Sequence, residues 1–147
     1  MMVFRMHPIA AHVFDTAGSF FNSGRWHKAG AHVIYAAEHA SLAVLETLIH
    51  AGRRKIPQRA ITRLHIPDEV AIEPALWMDM PDSQVFGAIW LREMRTAVLR
   101  VPSVAVNRLE SNFVLNPSHP NFARIQRDKT EIFVFDSRLF DASAEVS

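Results

Sequence analysis

The amino-acid sequence predicts an α+β fold rather than a doubly wound one. Strand-like segments outnumber helical ones, and the helical segments are not regularly interleaved between strands. The pattern also changes at residue 99, after which short apolar runs alternate with prolines and turns. The chain has 147 residues, enough for one domain with a sizeable core. With no internal repeat or low-complexity linker, residues 1–140 read as a single domain and residues 141–147 as a frayed tail.

The elements follow in order. MVFRM (2–6) has the apolar character of a short first strand, followed by a loop carrying Asp15, Gly18, Gly24 and Gly30. HVIYAA (32–37) is rich in β-branched and aromatic residues and reads as the second strand. Ser41 is placed to cap a helix that runs to about Ala51, with Gly52 to end it. AITRLHI (60–66) is a third strand, stopped by Pro67. SQVFGAIWLREMRTAVL (83–99) is expected to form a second helix, capped by Asp82 or Ser83 and weakened at Gly87. LRVPSVAV (99–106) is bent by Pro102, NFVLNPSHPNF (112–122) holds a strand and then a proline-punctuated loop, and EIFVFD (131–136) is the strongest late strand.

Composition excludes several classes of function. Sixteen basic residues face fifteen acidic ones, a formal charge of +1, which argues against a broad nucleic-acid footprint. Cysteine is absent, so disulfides, thiolate metal sites and a cysteine nucleophile are ruled out. No basic n-region precedes an apolar h-region, and no run approaches membrane length, so a cytoplasmic protein is expected. Eight histidines form no H-E-x-x-H pattern, and no metal is expected. Ser103 lacks a G-x-S-x-G elbow, and neither a Walker A nor a G-x-G-x-x-G motif occurs.

Three residues stand out between positions 23 and 50. On a helix, Glu46 has Leu42 and Ile49 as its i−4 and i+3 neighbours, at the edge of the apolar stripe. A carboxylate there needs a donor or a function, because unpaired burial costs several kcal/mol. Position alone leaves open a structural ion pair with Arg or Lys. Arg25 follows a glycine in a loop that could bring a guanidinium fork to phosphates, or it could simply be exposed. Tyr35, the sole tyrosine, could be core with its hydroxyl at the rim.

Taken together, GRWHKAGAHVIYAAEHASLAVLETLIH, LRVPSVAV, NFVLNPSHPNFARI and DSRLF resemble the RES-domain family of bacterial toxins, from about Phe4 to Phe140. The family's arginine falls on Arg25, its tyrosine on Tyr35, its glutamate on Glu46 and its serine on Ser103. Asn112, the segment Asn116–Pro120 and the early Arg5 match as well. Where many members carry Asn-Ser-Pro-Gly after the tryptophan, this chain has His27, Lys28, Ala29 and Gly30. The resemblance implies a mixed, mostly antiparallel central sheet with flanking helices, similar to the ADP-ribosyltransferase core, and NAD+ as substrate.

On that resemblance Glu46 stabilises an oxocarbenium-like ribose, Tyr35 stacks on nicotinamide, and Arg5 or Arg25 clamps the pyrophosphate. Ser103 hydrogen-bonds ribose or the nicotinamide amide, and Asn112 joins the NAD+ contacts. The expected protein is the toxin of a type II toxin–antitoxin pair that arrests growth. Water or phosphate is the expected acceptor of ADP-ribose. The alternative is mono-ADP-ribosylation of a cellular protein. Position 44 is valine and E-x-E occurs nowhere, which speaks against an arginine acceptor. An Xre-type helix-turn-helix antitoxin is the implied partner, covering the NAD+ cleft and leaving no direct nucleic-acid contact to this chain. A catalytically lost binding module and a ribonuclease toxin are the competing classes; the latter is disfavoured by the balanced charge.

Overall fold

A computed structural model describes residues 1–52, 54–76 and 82–140, so the tail expected at 141–147 lies outside the described residues. Seven strands form one sheet in the order β4-β5-β6-β2-β1-β3-β7. They are β1 (Met2–His7), β2 (Ile34–Ala37), β3 (Arg59–His65), β4 (Ile72–Pro74), β5 (Val98–Pro102), β6 (Ser111–Leu115) and β7 (Gln126–Phe133). All neighbours run antiparallel except β4 and β5, which gives the mixed, mostly antiparallel sheet that was expected.

Period-2 alternation sorts the core onto two faces. Val3, Leu64, Ile34, Ala36, Val98, Phe113 and Leu115 pack on one face beneath loop residues such as Val13, Ile66 and Ile125. Their neighbours Leu99, Val101 and Val114 pack on the other with Trp26 and Trp90. Trp90 belongs to α3 (Ser83–Arg92). Leu42 and Ala43 of α2 (Ala40–Ala51) cover Phe4, Ala37 and Ile61 nearby.

Several boundaries differ from expectation. The helix from Ser83 ends at Arg92, and Met94 takes a left-handed φ of 54°. Residues 97–99 are almost wholly buried, and Val98 and Leu99 pair with both β4 and β6. Sheet pairing on two sides overrides a helical periodicity. Of the two expected caps at α3, Asp82 occupies the N-cap, though its side chain makes no cap bond, and Ser83 opens the helix with its hydroxyl donating to the Arg25 carbonyl. His39, not Ser41, occupies the N-cap of α2, while Gly52 ends that helix at a φ of 66° as expected.

The last strand lies earlier than EIFVFD, because its register with β3 runs from Gln126 opposite His65 to Phe133 opposite Arg59, where β3 begins. Its polar residues are tolerated because β7 is an exposed edge strand. β4 and the short α1 (Ala17–Phe21) had no signal strong enough to be read from the sequence.

One feature of the sheet creates space. β1 and β2 meet through a single pairing, Phe4 with Ala37, and beyond it the two strands part.

Candidate active site

A cavity of about 690 Å³ lies beside this divergence, walled by Tyr35 of β2, Glu46 of α2 and Asn112 of β6. Arg5, Arg25 and Arg59 also line it. The structure therefore gathers Arg5, Arg25, Tyr35, Glu46 and Asn112, which are far apart in sequence, around one space. Ser103 lies just behind its wall, 1% exposed, between the lining residues Pro102 and Val104.

Glu46 sits half-buried on α2. Its Oε1 accepts from the Ser103 hydroxyl at 2.8 Å and from the Asn112 amide at 3.2 Å. Among the described residues no arginine or lysine forms an ion pair with it. Two neutral donors fix one carboxylate oxygen without cancelling the charge. Ile49, one turn further along, is 54% exposed rather than core, and it adds an apolar wall to the cavity.

Tyr35 is oriented by His27, which the sequence marks out only as a departure from the Asn-Ser-Pro-Gly of many family members. His27 is 3% exposed, and its Nε2 lies 3.0 Å from the Ser19 carbonyl and 2.8 Å from the Asn22 carbonyl. Two carbonyls require a proton on Nε2, so Nδ1 accepts from the Tyr35 hydroxyl 2.7 Å away. That hydroxyl in turn accepts the Trp26 N–H at 3.3 Å. Burial raises the Tyr35 pKa above its ordinary value, and the Trp26 bond offsets only part of this. The hydroxyl thus stays a neutral strut between strand and loop. A spacing of eight residues across a loop gives no sequence signal for such a pair.

The loop itself is held by close approach. A Cβ on Gly87 of α3 would lie 1.8 Å from the Trp26 carbonyl oxygen, so only glycine allows the loop against the helix here. Gln84 Nε2 donates to the Gly24 carbonyl at 2.8 Å and adds a second tie. Arg25 is left exposed at the cavity rim; among the described residues its side chain has no ion-pair or hydrogen-bond partner.

Arg5 is placed differently. Nε donates to the Val13 carbonyl at 2.6 Å, Nη1 to the Tyr35 carbonyl at 3.0 Å and Nη2 to the Asp15 carbonyl at 3.2 Å. Burial pulls its pKa down to about 10, partly offset by Asp15, so it remains charged at neutral pH. Three of the five N–H donors of a guanidinium are thereby committed to backbone, bridging the gap where β1 and β2 part.

Glu38, His39 and Glu110 bring possible ligand atoms within 4.8 Å of one another outside this cavity. Each already has a protein partner: Glu38 accepts the Ser111 N–H, and His39 Nδ1 bonds Glu110 at 2.8 Å. No helix among the described residues is long and apolar enough to cross a membrane.

The model of the RES domain family matches residues 2–136. A relative from a Sphingobium species named Prs ADP-ribosylating toxin is 35% identical, over 84% of this chain and 84% of its own length. A protein of Pseudomonas putida named Toxin Res is also 35% identical, over 80% of this chain and 86% of its own. In fold, the chain is similar to a chain in the crystal structure of the M. tuberculosis MbcT–MbcA toxin–antitoxin complex, with a TM-score of 0.73 at 12% identity. That likeness covers 90% of this chain and 84% of the other.

Proposed function

The chain belongs to the RES domain family, and on that premise we propose that it is the toxin of a type II toxin–antitoxin pair that cleaves NAD+. The supporting observation is Glu46, a carboxylate held by the neutral Ser103 and Asn112 at a cavity shared with Tyr35 and Arg25. Breaking the bond between ribose C1′ and the nicotinamide nitrogen sends the electron pair to that nitrogen and releases neutral nicotinamide. Positive charge remains on the ribose as an oxocarbenium-like centre. A fixed carboxylate stabilises it as it develops, with little reorganisation.

In this reading Glu46 is the catalytic group, and Ser103 is a positioning residue acting through it. Asn112, also bonded to Glu46, reaches the cavity, where it can meet the substrate. The Tyr35 ring stacks on nicotinamide while its hydroxyl anchors the loop. Arg25, free at the rim, approaches the phosphates.

Water or phosphate is the proposed acceptor: its oxygen bonds to C1′ and gives up a proton. Transfer to a protein side chain is the second reading, favoured by the name of the Sphingobium relative. Incubating the purified protein with NAD+, with and without cell lysate, and following products by mass spectrometry separates the two. Free ADP-ribose or its phosphate without lysate is the expected result. A lysate protein heavier by one ADP-ribosyl group, with no free product, would replace it. Glu46→Gln should lower nicotinamide release by roughly a hundredfold or more, and unchanged release would end the catalytic assignment.

The proposed partner is an Xre-type antitoxin that covers the cleft, as expected for a toxin whose own formal charge is only +1. Co-expression should yield a complex that protects NAD+. Tight binding of operator DNA by the toxin alone at physiological salt would contradict this division of labour.

A further inference from the structure

Among the described residues, two buried side-chain donors find no hydrogen-bond acceptor, Trp26 Nε1 and Arg59 Nε. Both belong to residues that line the Glu46 cavity. Buried donors are paired in the great majority of folded proteins, and an orphan costs about 1–3 kcal/mol. Two orphans at one cavity point to a ligand rich in acceptors.

Arg59 has a second, independent mark. It also lines an adjoining hollow of about 470 Å³ with His50 and Arg54, and among the described residues that wall includes no carboxylate. Between Glu46 and Asp68 the chain has no acidic residue at all. This end of the cleft, between the C-terminus of α2 and the start of β3, is locally cationic in a nearly neutral protein. The fork of Arg5 is largely committed to three carbonyls. Of the cavity's three arginines, that leaves Arg25 and Arg59 for anionic ligand oxygens.

We propose that Arg59 is a phosphate-binding residue of the cleft, its Nε–Nη edge receiving an oxygen of the NAD+ pyrophosphate. The assignment rests on the NAD+ reading above. A side-on oxyanion gives the orphaned Nε–H an acceptor and forms the paired, charge-assisted contact that guanidinium favours. Arg59 begins a strand whose backbone is fixed by β1 and β7, so its position is set before the ligand arrives.

The test uses the Glu46→Gln protein, in which turnover should be slowed roughly a hundredfold or more, and two ligands measured by calorimetry. NAD+ carries the pyrophosphate; nicotinamide riboside has the same nicotinamide and ribose but no phosphate. Adding Arg59→Gln should weaken NAD+ binding roughly ten- to a hundredfold, the loss expected for a charge-assisted contact. Riboside affinity should stay unchanged, which also shows that the variant is folded. Arg59→Lys should fall between, because it keeps the charge without the fork. Equal loss for both ligands would make Arg59 merely structural, and no loss for NAD+ would remove it from the site. If the Glu46→Gln parent binds neither ligand, the NAD+ reading itself fails and this assignment with it.

Discussion

Ser103 and Glu46 lie 57 residues apart in the chain, yet a 2.8 Å hydrogen bond joins them. The serine is almost wholly buried, so under the proposed function its contribution to chemistry would pass through the carboxylate it bonds. Ser103→Ala should lower kcat about tenfold, with little change in KM, because the freed carboxylate samples orientations that do not face the ribose. Ser103→Thr keeps the hydroxyl and should recover most of the loss. Steady-state kinetics on the three proteins checks this, and an effect confined to KM would point to direct substrate contact instead. Arg5 teaches the complementary lesson. An early arginine can match a family pattern and still have most of its donors turned to backbone, a fact that no spacing along the chain reveals.

Elements set the site by how closely they approach. The Trp26 loop touches α3 at Gly87, where even a methyl group has no room. Gly87→Ala should destabilise the fold by roughly 3 kcal/mol or more, or push the loop and Arg25 away from the cavity. A methyl group added at Gly18, on α1, would meet nothing within 4 Å, so Gly18→Ala should be neutral or stabilise by up to about 1 kcal/mol. Thermal unfolding of the two variants makes the comparison, and similar midpoints would show that the loop yields at little cost. From sequence, Gly87 looks like a flaw in a helix. Its value appears only when the partner segment is in place.

Across the whole molecule, stability should depend on pH through His7. This residue is buried, with Nδ1 3.0 Å from the Pro8 carbonyl and Nε2 2.8 Å from the Thr62 hydroxyl. Nδ1 therefore carries the proton and Nε2 accepts, while Thr62 accepts in turn from Thr130 at 2.8 Å. Burial pulls the His7 pKa below its ordinary 6.5, with Arg5 and His12 adding to this and the Pro8 and Ala11 carbonyls opposing it. Below pH 6.5 the unfolded chain then binds more protons than the folded one. Stability present at neutral pH is lost as pH falls from 6.5 through the lower folded-state value. His39 is shifted upward by its bond to Glu110, but it is exposed and screened, and contributes little. Midpoints of thermal unfolding between pH 7.5 and 5 should fall, and less steeply in His7→Gln. Parallel slopes in the two proteins would assign the dependence elsewhere.

The sequence by itself determined the α+β class, the strands around Phe4, Tyr35, Ile61 and Phe113, the helix bearing Glu46, and the set from Arg25 to Asn112 as candidates. Those features are written locally, in alternation, helical spacing, a terminating glycine and motif order. What only the tertiary structure decided is how these pieces meet. Helix α3 stops at Arg92 because β4 and β6 pair with the residues beyond it. The same contacts decide that Arg5 spans parted strands, that His27 fixes Tyr35, and that Ser103 and Asn112 hold Glu46. Arg59, which no motif in the sequence marks, lines the cavity and has an unpaired donor. The physical reason is that a polar side chain's role depends on which donors and acceptors remain unpaired around it. That balance is settled across strands and loops distant in sequence, after the chain has folded.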